Sequence, residues 1–163
     1  MTRPGPDRRA FVALSASMAL APTRPRAAEV GEPALAYWNE PIATGDIAPG
    51  DWRICLLDGD PIVLRRRTPV QIAKVRAEPV NTLPDPARDE DRAPGGEWLV
   101  VSGLCTHAGC KVQCGLGPYD GWACLCHGSI YDLSGRVRQG PAKRNLPVIA
   151  HTSDRDRLTL HPG

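Results

Sequence analysis

Three features are scarce in this chain, and each scarcity excludes a class of protein. No apolar run reaches the roughly 20 residues that a membrane-spanning helix needs, and the most apolar stretch, residues 11–21, is about half that length. Aromatic residues make up only 5% of the chain, with a single Phe, so a core must depend on aliphatic side chains and four tryptophans. The formal net charge of +2 is too small to indicate nucleic acid as a partner.

Turn-forming residues and cysteines, by contrast, are abundant. The 17 prolines and 16 glycines make up a large share of the 163 residues, a composition typical of a turn-rich β fold. Six cysteines are present, and five of them lie between positions 105 and 126. Such clustering indicates a metal site, a disulfide framework or both.

Residues 1–30 are predicted to be a twin-arginine-like export signal or a short N-terminal anchor. Arg8 and Arg9 directly precede the apolar run at residues 11–21, and this order of a basic and an apolar region is typical of export signals. The twin-arginine pathway exports proteins that have already folded. A disordered basic tail is the alternative interpretation. Residues 34–163 are expected to form the folded domain.

The remaining pattern predicts short strands and one short helix. Two β-rich runs, residues 52–57 and 61–66, flank Asp58-Gly59-Asp60, which is a hairpin signal. Thr68-Pro69 opens a run with helical spacing, and the polar residues 79–96 are interpreted as a surface excursion. This many short strands favours an all-β sandwich or barrel. Further strand candidates lie at residues 98–102, 129–133, 136–138, 146–150 and 157–161.

Two short boxes carry the chemistry: Cys105-Thr106-His107-Ala108-Gly109-Cys110 and Cys124-Leu125-Cys126-His127-Gly128-Ser129. Each box places a Cys and a His within three positions and adds a second Cys. Two thiolates and two imidazoles can bind one zinc ion tetrahedrally, or can be divided between the two irons of a [2Fe–2S] cluster. Zinc sites usually draw their cysteine pair and histidine pair from separate segments. Because each box here supplies one residue of both kinds, the pattern favours the binuclear cluster.

The boxes resemble the C-T-H-x-G-C and C-x-C-H-G-S motifs of the Rieske iron–sulfur subunit of ubiquinol–cytochrome c reductase, the cytochrome bc complex. The similarity covers residues 51–149 and includes residues 59–68, 96–100 and 140–142. It implies one Rieske-type [2Fe–2S] cluster in an antiparallel β sandwich with an inserted cluster-binding subdomain. The resemblance also implies a set of metal ligands and a disulfide: ligands Cys105, His107, Cys124 and His127, and a bond between Cys110 and Cys126. A disulfide agrees with export to an oxidising compartment.

The resemblance assigns roles to further side chains around the cluster. Ser129 is expected to donate its hydroxyl to a bridging sulfide, and Tyr131 to the sulfur of Cys105. Such donors stabilise the reduced cluster and place its potential in the upper part of the Rieske range of about −150 to +300 mV. His107 and His127 are the expected catalytic residues, because their free ring nitrogens can exchange a proton as the electron passes.

The implied role is to oxidise quinol at a cytochrome b partner and pass the electron to a c-type cytochrome, as a subunit that is not active alone. The expected location is the bacterial inner membrane, with the cluster domain on the periplasmic side, held by its partners or by a short N-terminal anchor. Two alternatives remain open. One is an exported soluble Rieske electron carrier, such as the small subunit of an arsenite-oxidase-like enzyme, and the other is a structural zinc-binding module.

Four positions depart from the family motif or lie outside it. Ala108 stands where the first box usually has Leu, and Leu125 where the second box usually has Pro. The family has a proline loop that covers its cluster and that residues 140–142 match. Lys143 replaces a second Pro that is common in this loop. Cys114 has no counterpart in the motif and is interpreted as a spectator thiol, the alternative being a disulfide with Cys110.

Overall fold

The structure is a computed structural model that describes residue 1 and residues 33–163. The predicted signal or anchor at residues 1–30 therefore lies outside the described residues, apart from Met1. Within the described part, no helix combines the length and the apolar character needed to cross a membrane. The elements in chain order are β1 (Ala34–Ala36), β2 (Pro41–Ala43), β3 (Trp52–Leu57), β4 (Asp60–Arg66), α1 (Pro69–Arg76), a 3₁₀ helix (Val80–Thr82), α2 (Asp89–Arg92), β5 (Trp98–Ser102), β6 (Gln113–Cys114), β7 (Trp122–Cys124), β8 (Ser129–Tyr131), β9 (Val137–Gln139), β10 (His151–Asp154) and β11 (Arg157–Leu160).

The strands form three sheets, which pack around two apolar cores. Sheet 1 has the order β1-β3-β4-β5, sheet 2 has β10-β11-β2, and sheet 3 has β6-β7-β8-β9. Sheets 1 and 2 share one apolar core and are called the base here. Sheet 3 and its loops, residues 103–146, pack on the other face of sheet 1 and are called the cluster subdomain. The prediction of an all-β, antiparallel sandwich with an inserted subdomain is confirmed, with one parallel pair, β1 with β3.

The hairpin between β3 and β4 forms as predicted. Its turn residues Asp58 and Gly59 both have positive φ, 52° and 88°, as a two-residue turn between twisted strands requires. In β4, Ile62 and Leu64 face the core of the base, whereas Val63 faces the cluster subdomain. Because both faces of β4 are covered, its sequence is a nearly continuous apolar run rather than an alternating one.

Helix α1 begins where the sequence predicts. The Thr68 hydroxyl accepts from the backbone N–H of Gln71 at 3.2 Å, and the Gln71 side chain accepts from the Thr68 N–H at 2.9 Å. This reciprocal capping box, with Pro69 at the first position, satisfies two amide groups that the helix itself leaves free.

Residues 79–96 lie on the surface only in part. Leu83, Asp89 and Arg92 are buried, and α2 carries the last two of them into the interior. The polar, Pro-rich composition of this segment concealed these positions, because charged residues are seldom buried unless they are paired.

The strand candidate at residues 146–150 is not a strand in the structure. Val148 makes an isolated antiparallel bridge with Val101, and Ile149 donates to the Val100 carbonyl at 2.9 Å. Pro147 accepts from Ser102 at 2.8 Å but has no N–H to return a bond, so the ladder beside β5 is broken at that point. Five strands, β1, β2, β6, β7 and β10, were not predicted, because runs of two to four residues show too little periodicity.

A buried carboxylate joins the segment around α1 and α2 to the cluster subdomain. Arg67 donates to Asp89 at 2.5 Å and Arg76 donates to it at 3.0 Å, while the Ser134 hydroxyl makes a third hydrogen bond. Burial alone would raise the pKa of Asp89, but the hydrogen bonds from Arg67 and Ser134 hold it below its usual value. The carboxylate therefore stays ionised and fully paired.

Two further buried arginines complete this connection by binding backbone carbonyls. Arg92 donates to the carbonyls of Ser134 at 2.5 Å and Leu146 at 2.6 Å. Arg136 pairs with Asp132 at 2.8 Å and donates to the carbonyl of Val75, at the end of α1, at 2.9 Å. The turn after β8 is thus fixed against the helical segment by charge-assisted hydrogen bonds.

Candidate metal centre

The two boxes fold into similar turns that face each other at one end of the cluster subdomain. In the first box, the N–H of Gly109 donates to the Cys105 carbonyl at 2.9 Å, and in the second, Gly128 donates to Cys124 at 2.9 Å. Both glycines have positive φ, 72° and 78°, a backbone conformation that residues with a Cβ rarely adopt. Each turn therefore needs a glycine four residues after its first cysteine.

The structure brings the four predicted ligands together in two pairs, the buried thiols of Cys105 and Cys124 and the exposed imidazoles of His107 and His127. Cys105 and Cys124 are only 3% and 2% exposed, whereas His107 and His127 are exposed. The two imidazole rings are 4.8 Å apart between centroids and meet edge to face. That these residues bind metal is a prediction, which this arrangement supports.

A disulfide joins Cys110 and Cys126 and so links the two boxes. This is the pairing that the family resemblance implies. The Cys124 sulfur lies within 4.8 Å of both disulfide sulfurs, so the cross-link sits directly beside a predicted ligand. Cys114 is a free thiol, and burial raises its pKa to about 11, which agrees with a spectator role. The alternative disulfide between Cys114 and Cys110 is not formed, since Cys110 pairs with Cys126.

Tyr131 reaches the first box from the buried strand β8. Its hydroxyl lies 3.2 Å from the Cys105 sulfur and accepts from the backbone N–H of Thr106, also at 3.2 Å. Burial, followed by the contact with Cys105, raises the pKa of Tyr131 to about 12, so the phenol keeps its proton at neutral pH. The oxygen accepts from the Thr106 N–H, and its single proton has two acceptors within reach, the Cys105 sulfur and the Thr106 hydroxyl oxygen. Donation to the sulfur stays a prediction, which the 3.2 Å contact supports.

Thr106 is a functional candidate that the sequence reasoning did not single out. Its hydroxyl donates to the Arg144 carbonyl at 2.6 Å and lies 3.1 Å from the Tyr131 oxygen. It therefore connects the first box, the tyrosine and the proline loop, residues 140–144. The fixed Thr between Cys105 and His107 in the motif was the available signal.

Ser129 holds the proline loop over the second box. Its hydroxyl is fully buried and accepts from the Ala142 N–H at 3.1 Å. Gly140 lies so close to the box that a Cβ added there would be 2.5 Å from the Ser129 Cα. The Ser129 side chain also hydrogen-bonds Cys105 and helps to lower the pKa of that thiol. The hydrogen bond from Ser129 to a bridging sulfide stays a prediction.

A family model described as "Rieske [2Fe-2S] domain" matches residues 37–150. The chain belongs to the Rieske [2Fe–2S] domain family. The predicted family and its cofactor, a Rieske-type [2Fe–2S] cluster, are thereby confirmed. The matched range contains both boxes, the disulfide and the proline loop.

Curated relatives and a solved structure agree with this family. The chain is 40% identical over 126 residues to "Cytochrome b-c1 complex subunit Rieske, mitochondrial" of Schizosaccharomyces pombe, covering 77% of this chain and 55% of that protein. It is 52% identical over 110 residues to "Ubiquinol-cytochrome c reductase iron-sulfur subunit" of Bradyrhizobium diazoefficiens, covering 66% and 60%. The match thus spans little more than half the length of these relatives. A chain of "Hyperthermophilic respiratory Complex III" has a TM-score of 0.52 at 22% identity, covering 74% of this chain and 72% of that one, which supports the fold.

The thiols of this Rieske domain are arranged for a cationic group. Burial opposes ionisation, but hydrogen bonds from Tyr131 and the backbone at His107 lower the pKa of Cys105. Burial and the neighbouring Cys105 raise the pKa of Cys124. Two adjacent thiolates repel each other, and a cation bound between them would favour the ionisation of both. Two sulfur donors inside and two nitrogen donors at the surface fit the Cys₂His₂ ligation of a Rieske cluster.

Proposed function

We propose that this chain is the electron-transfer subunit of a respiratory quinol–cytochrome c oxidoreductase, taking electrons from quinol at a cytochrome b partner and passing them to a c-type cytochrome. The observation that carries this proposal is the pair of adjacent, exposed imidazoles of His107 and His127, in the same two boxes as the buried Cys105 and Cys124. Of the four proposed ligands, these two are the ones that a quinol or a haem protein can approach. Cys105, His107, Cys124 and His127 hold the cluster in this proposal.

A bound [2Fe–2S] cluster supplies one-electron chemistry at this site. A ring nitrogen of His107 or His127 that metal binding would leave free would accept the hydrogen bond of a quinol hydroxyl and take up its one proton as one electron passes to this chain. Both imidazoles stand at the solvent boundary, so either can later release that proton to water. Tyr131 and Ser129 keep their hydroxyl groups next to the sulfur ligands and favour the reduced state.

The proposal extends to the location of the chain. The relatives are named as subunits of the cytochrome b-c1 complex or of ubiquinol–cytochrome c reductase, which supports membrane association through partner subunits. The disulfide between Cys110 and Cys126 supports an oxidising compartment, here the periplasmic side of a bacterial inner membrane. Export by the twin-arginine pathway fits Arg8 and Arg9, because a cluster must be inserted before the folded domain crosses the membrane.

Purification of the full chain from membranes tests this function. The expected preparation contains two irons and two acid-labile sulfides per chain, co-purifies with b-type and c-type haems, and reduces cytochrome c with quinol. Stoichiometric zinc without labile sulfide would contradict the Rieske chemistry. An intact cluster that co-purifies with no haem protein would contradict the assignment to a quinol–cytochrome c oxidoreductase and favour an exported electron carrier.

A further inference from the structure

The chain segments that form the surface around the exposed histidines contain basic but no acidic residues. Residues 103–119, 121–131 and 137–152, which include both boxes and the proline loop, contain no Asp or Glu. Within them the basic residues Lys111, Lys143 and Arg144 are exposed. Among the described residues, none of the three is in an ion pair. Their charges are therefore free to act on a partner.

The three basic residues are attached to the loops of the metal centre. Lys111 directly follows the disulfide residue Cys110 and makes a backbone bridge with Leu104, the residue before the first box. The Arg144 carbonyl is bound by Thr106 of the first box. Lys143 lies between Arg144 and the part of the proline loop that rests on the second box.

The two boxes at the centre of this surface contain no Lys, Arg, Asp or Glu. Leu125, between the two cysteines of the second box, is 67% exposed, and Ala108 and both histidines beside it are also exposed. An apolar centre with a charged margin is the usual composition of a protein interface. The half-buried carboxylate of Asp85 accepts from the Asn145 backbone N–H at 2.8 Å, so an acidic group borders the basic margin beside the proline loop.

We propose that Lys111, Lys143 and Arg144 form the margin of a docking face that selects an electron acceptor with an acidic surface around its haem, and that Leu125 is its apolar centre. This rests on the proposed electron-transfer function and adds the chemistry of the partner. The acceptor must approach His107 and His127, because the sulfur ligands are buried. A c-type cytochrome of net negative charge fits both the charge and the need for a redox centre, whereas an anionic lipid surface fits the charge alone.

Charge complementarity at such a margin acts mainly on the rate of association and on its dependence on salt. Steering of this kind raises association rates by about 10- to 1,000-fold at low ionic strength. The apolar centre acts differently, because Leu125 contacts the partner only after docking and so affects dissociation.

The experiment mixes the reduced, cluster-containing protein with two soluble c-type cytochromes, one of net negative and one of net positive charge, in a stopped-flow instrument. The acidic cytochrome is expected to react at least about tenfold faster at low ionic strength, and this advantage should disappear as salt rises. Lys143→Glu combined with Arg144→Glu should abolish the advantage. Arg157→Glu, an exposed residue of sheet 2, is the matched control and should preserve it, and Leu125→Ser should slow the reaction without changing its salt dependence.

The failure of this proposal and the failure of the proposed function are distinguishable. Labile sulfide and a reversible one-electron titration are measured on every variant before mixing, and their absence in the parent would contradict the function. In that case calorimetric binding of the acidic cytochrome still tests the surface. Equal rates for the two cytochromes, or a faster reaction with the basic one, would overturn the docking proposal. The double variant Lys143→Glu with Arg144→Glu is also tested for binding to vesicles of phosphatidylglycerol and phosphatidylcholine. If it loses vesicle binding but reacts with the cytochromes at the rates of the parent, the docking proposal is overturned and the surface is assigned to lipid.

Discussion

The base and the cluster subdomain of this Rieske domain are held together by different interactions. The base contains the three longest strands of the described residues, β3, β4 and β5, with 6, 7 and 5 residues. In its apolar core Cys55, Leu64, Val100 and Leu158 are completely buried. The strands of the cluster subdomain are two or three residues long. It contains one buried ion pair, Arg136 with Asp132, and a second, Arg67 with Asp89, lies where it meets the segment around α1 and α2. Its two boxes are joined by a disulfide.

This difference matches what each region has to do. Apolar burial is non-directional, so it stabilises the base while tolerating small shifts of its side chains. A metal centre needs loops held in one geometry, and directional bonds supply that. Arg67, Arg92 and Arg136 each join chain segments far apart in sequence, and each would leave several polar groups unpaired if the loops moved.

Removing a proposed ligand should have the largest effect, and only in the cluster subdomain. His107→Ala or Cys124→Ser is expected to abolish the cluster, because two irons cannot keep their ligation with one donor missing. Iron and acid-labile sulfide analysis measures this. His151→Ala, a partly exposed histidine on β10, is the control and should retain full cluster content. Retention of the cluster in both ligand variants would contradict the ligand assignment.

Breaking the buried charge network should destabilise the protein far more than breaking a surface pair. Asp89→Asn leaves Arg67 buried without its counter-charge and should cost about 3–5 kcal/mol of the free energy of unfolding. Asp46→Asn removes the exposed partner of Arg53 and should cost at most about 1 kcal/mol. Urea unfolding of the two variants provides the comparison. Equal losses would mean that the network does not hold the subdomain.

Opening the disulfide should loosen the boxes while sparing the base. Cys110→Ser should cost about 2–5 kcal/mol and accelerate the loss of the cluster on warming. The visible absorption of the cluster and the far-ultraviolet circular dichroism of the strands, followed against temperature, separate the two regions. Cys114→Ser removes a free thiol and should behave like the parent. A cluster equally stable in both variants would be evidence that the cross-link is dispensable.

Removing the hydroxyl groups near the sulfur ligands should change the potential without changing the fold. A hydrogen bond to a charged group contributes about 1.5–3 kcal/mol, and 59 mV corresponds to a tenfold change for one electron. Tyr131→Phe and Ser129→Ala should each lower the midpoint potential by several tens of millivolts or somewhat more, since 1.5–3 kcal/mol corresponds to about one to two tenfold changes. Redox titration measures this, with Tyr119→Phe as the control. Unchanged potentials in both variants would show that neither hydroxyl serves the cluster.

The smallest expected effect is the change of the free energy of unfolding with acid pH, which depends on the buried Asp89 beside the cluster subdomain. Because the pKa of Asp89 is lowered on folding, its contribution is fully present above its unfolded pKa of about 3.9 and is lost as pH falls through the lower folded pKa. The free energy of unfolding should therefore fall in this acid range, and less steeply in Asp89→Asn. Unfolding measured between pH 2 and pH 6, at about one-unit intervals, tests this. Parallel curves for parent and variant would contradict it.

The sequence by itself determined the features that depend on residues close together in the chain. Asp58 and Gly59 specify a two-residue turn, and Thr68, Pro69 and Gln71 specify the start of α1, because each forms its bonds within a few positions. The two boxes likewise contain their own cysteines, histidines and turn glycines. Family, fold class and cofactor were therefore predictable, and the comparisons confirm them.

Only the tertiary structure decided which polar side chains become internal. Arg67 and Asp89 are 22 positions apart, and Asp89 and Ser134 are 45 apart, so no local pattern pairs them. The same holds for Thr106, whose bond to the Arg144 carbonyl spans 38 positions. A charged residue in a polar segment has the composition of a surface residue. It becomes part of the interior only when folding brings partners close enough to replace the water that it loses.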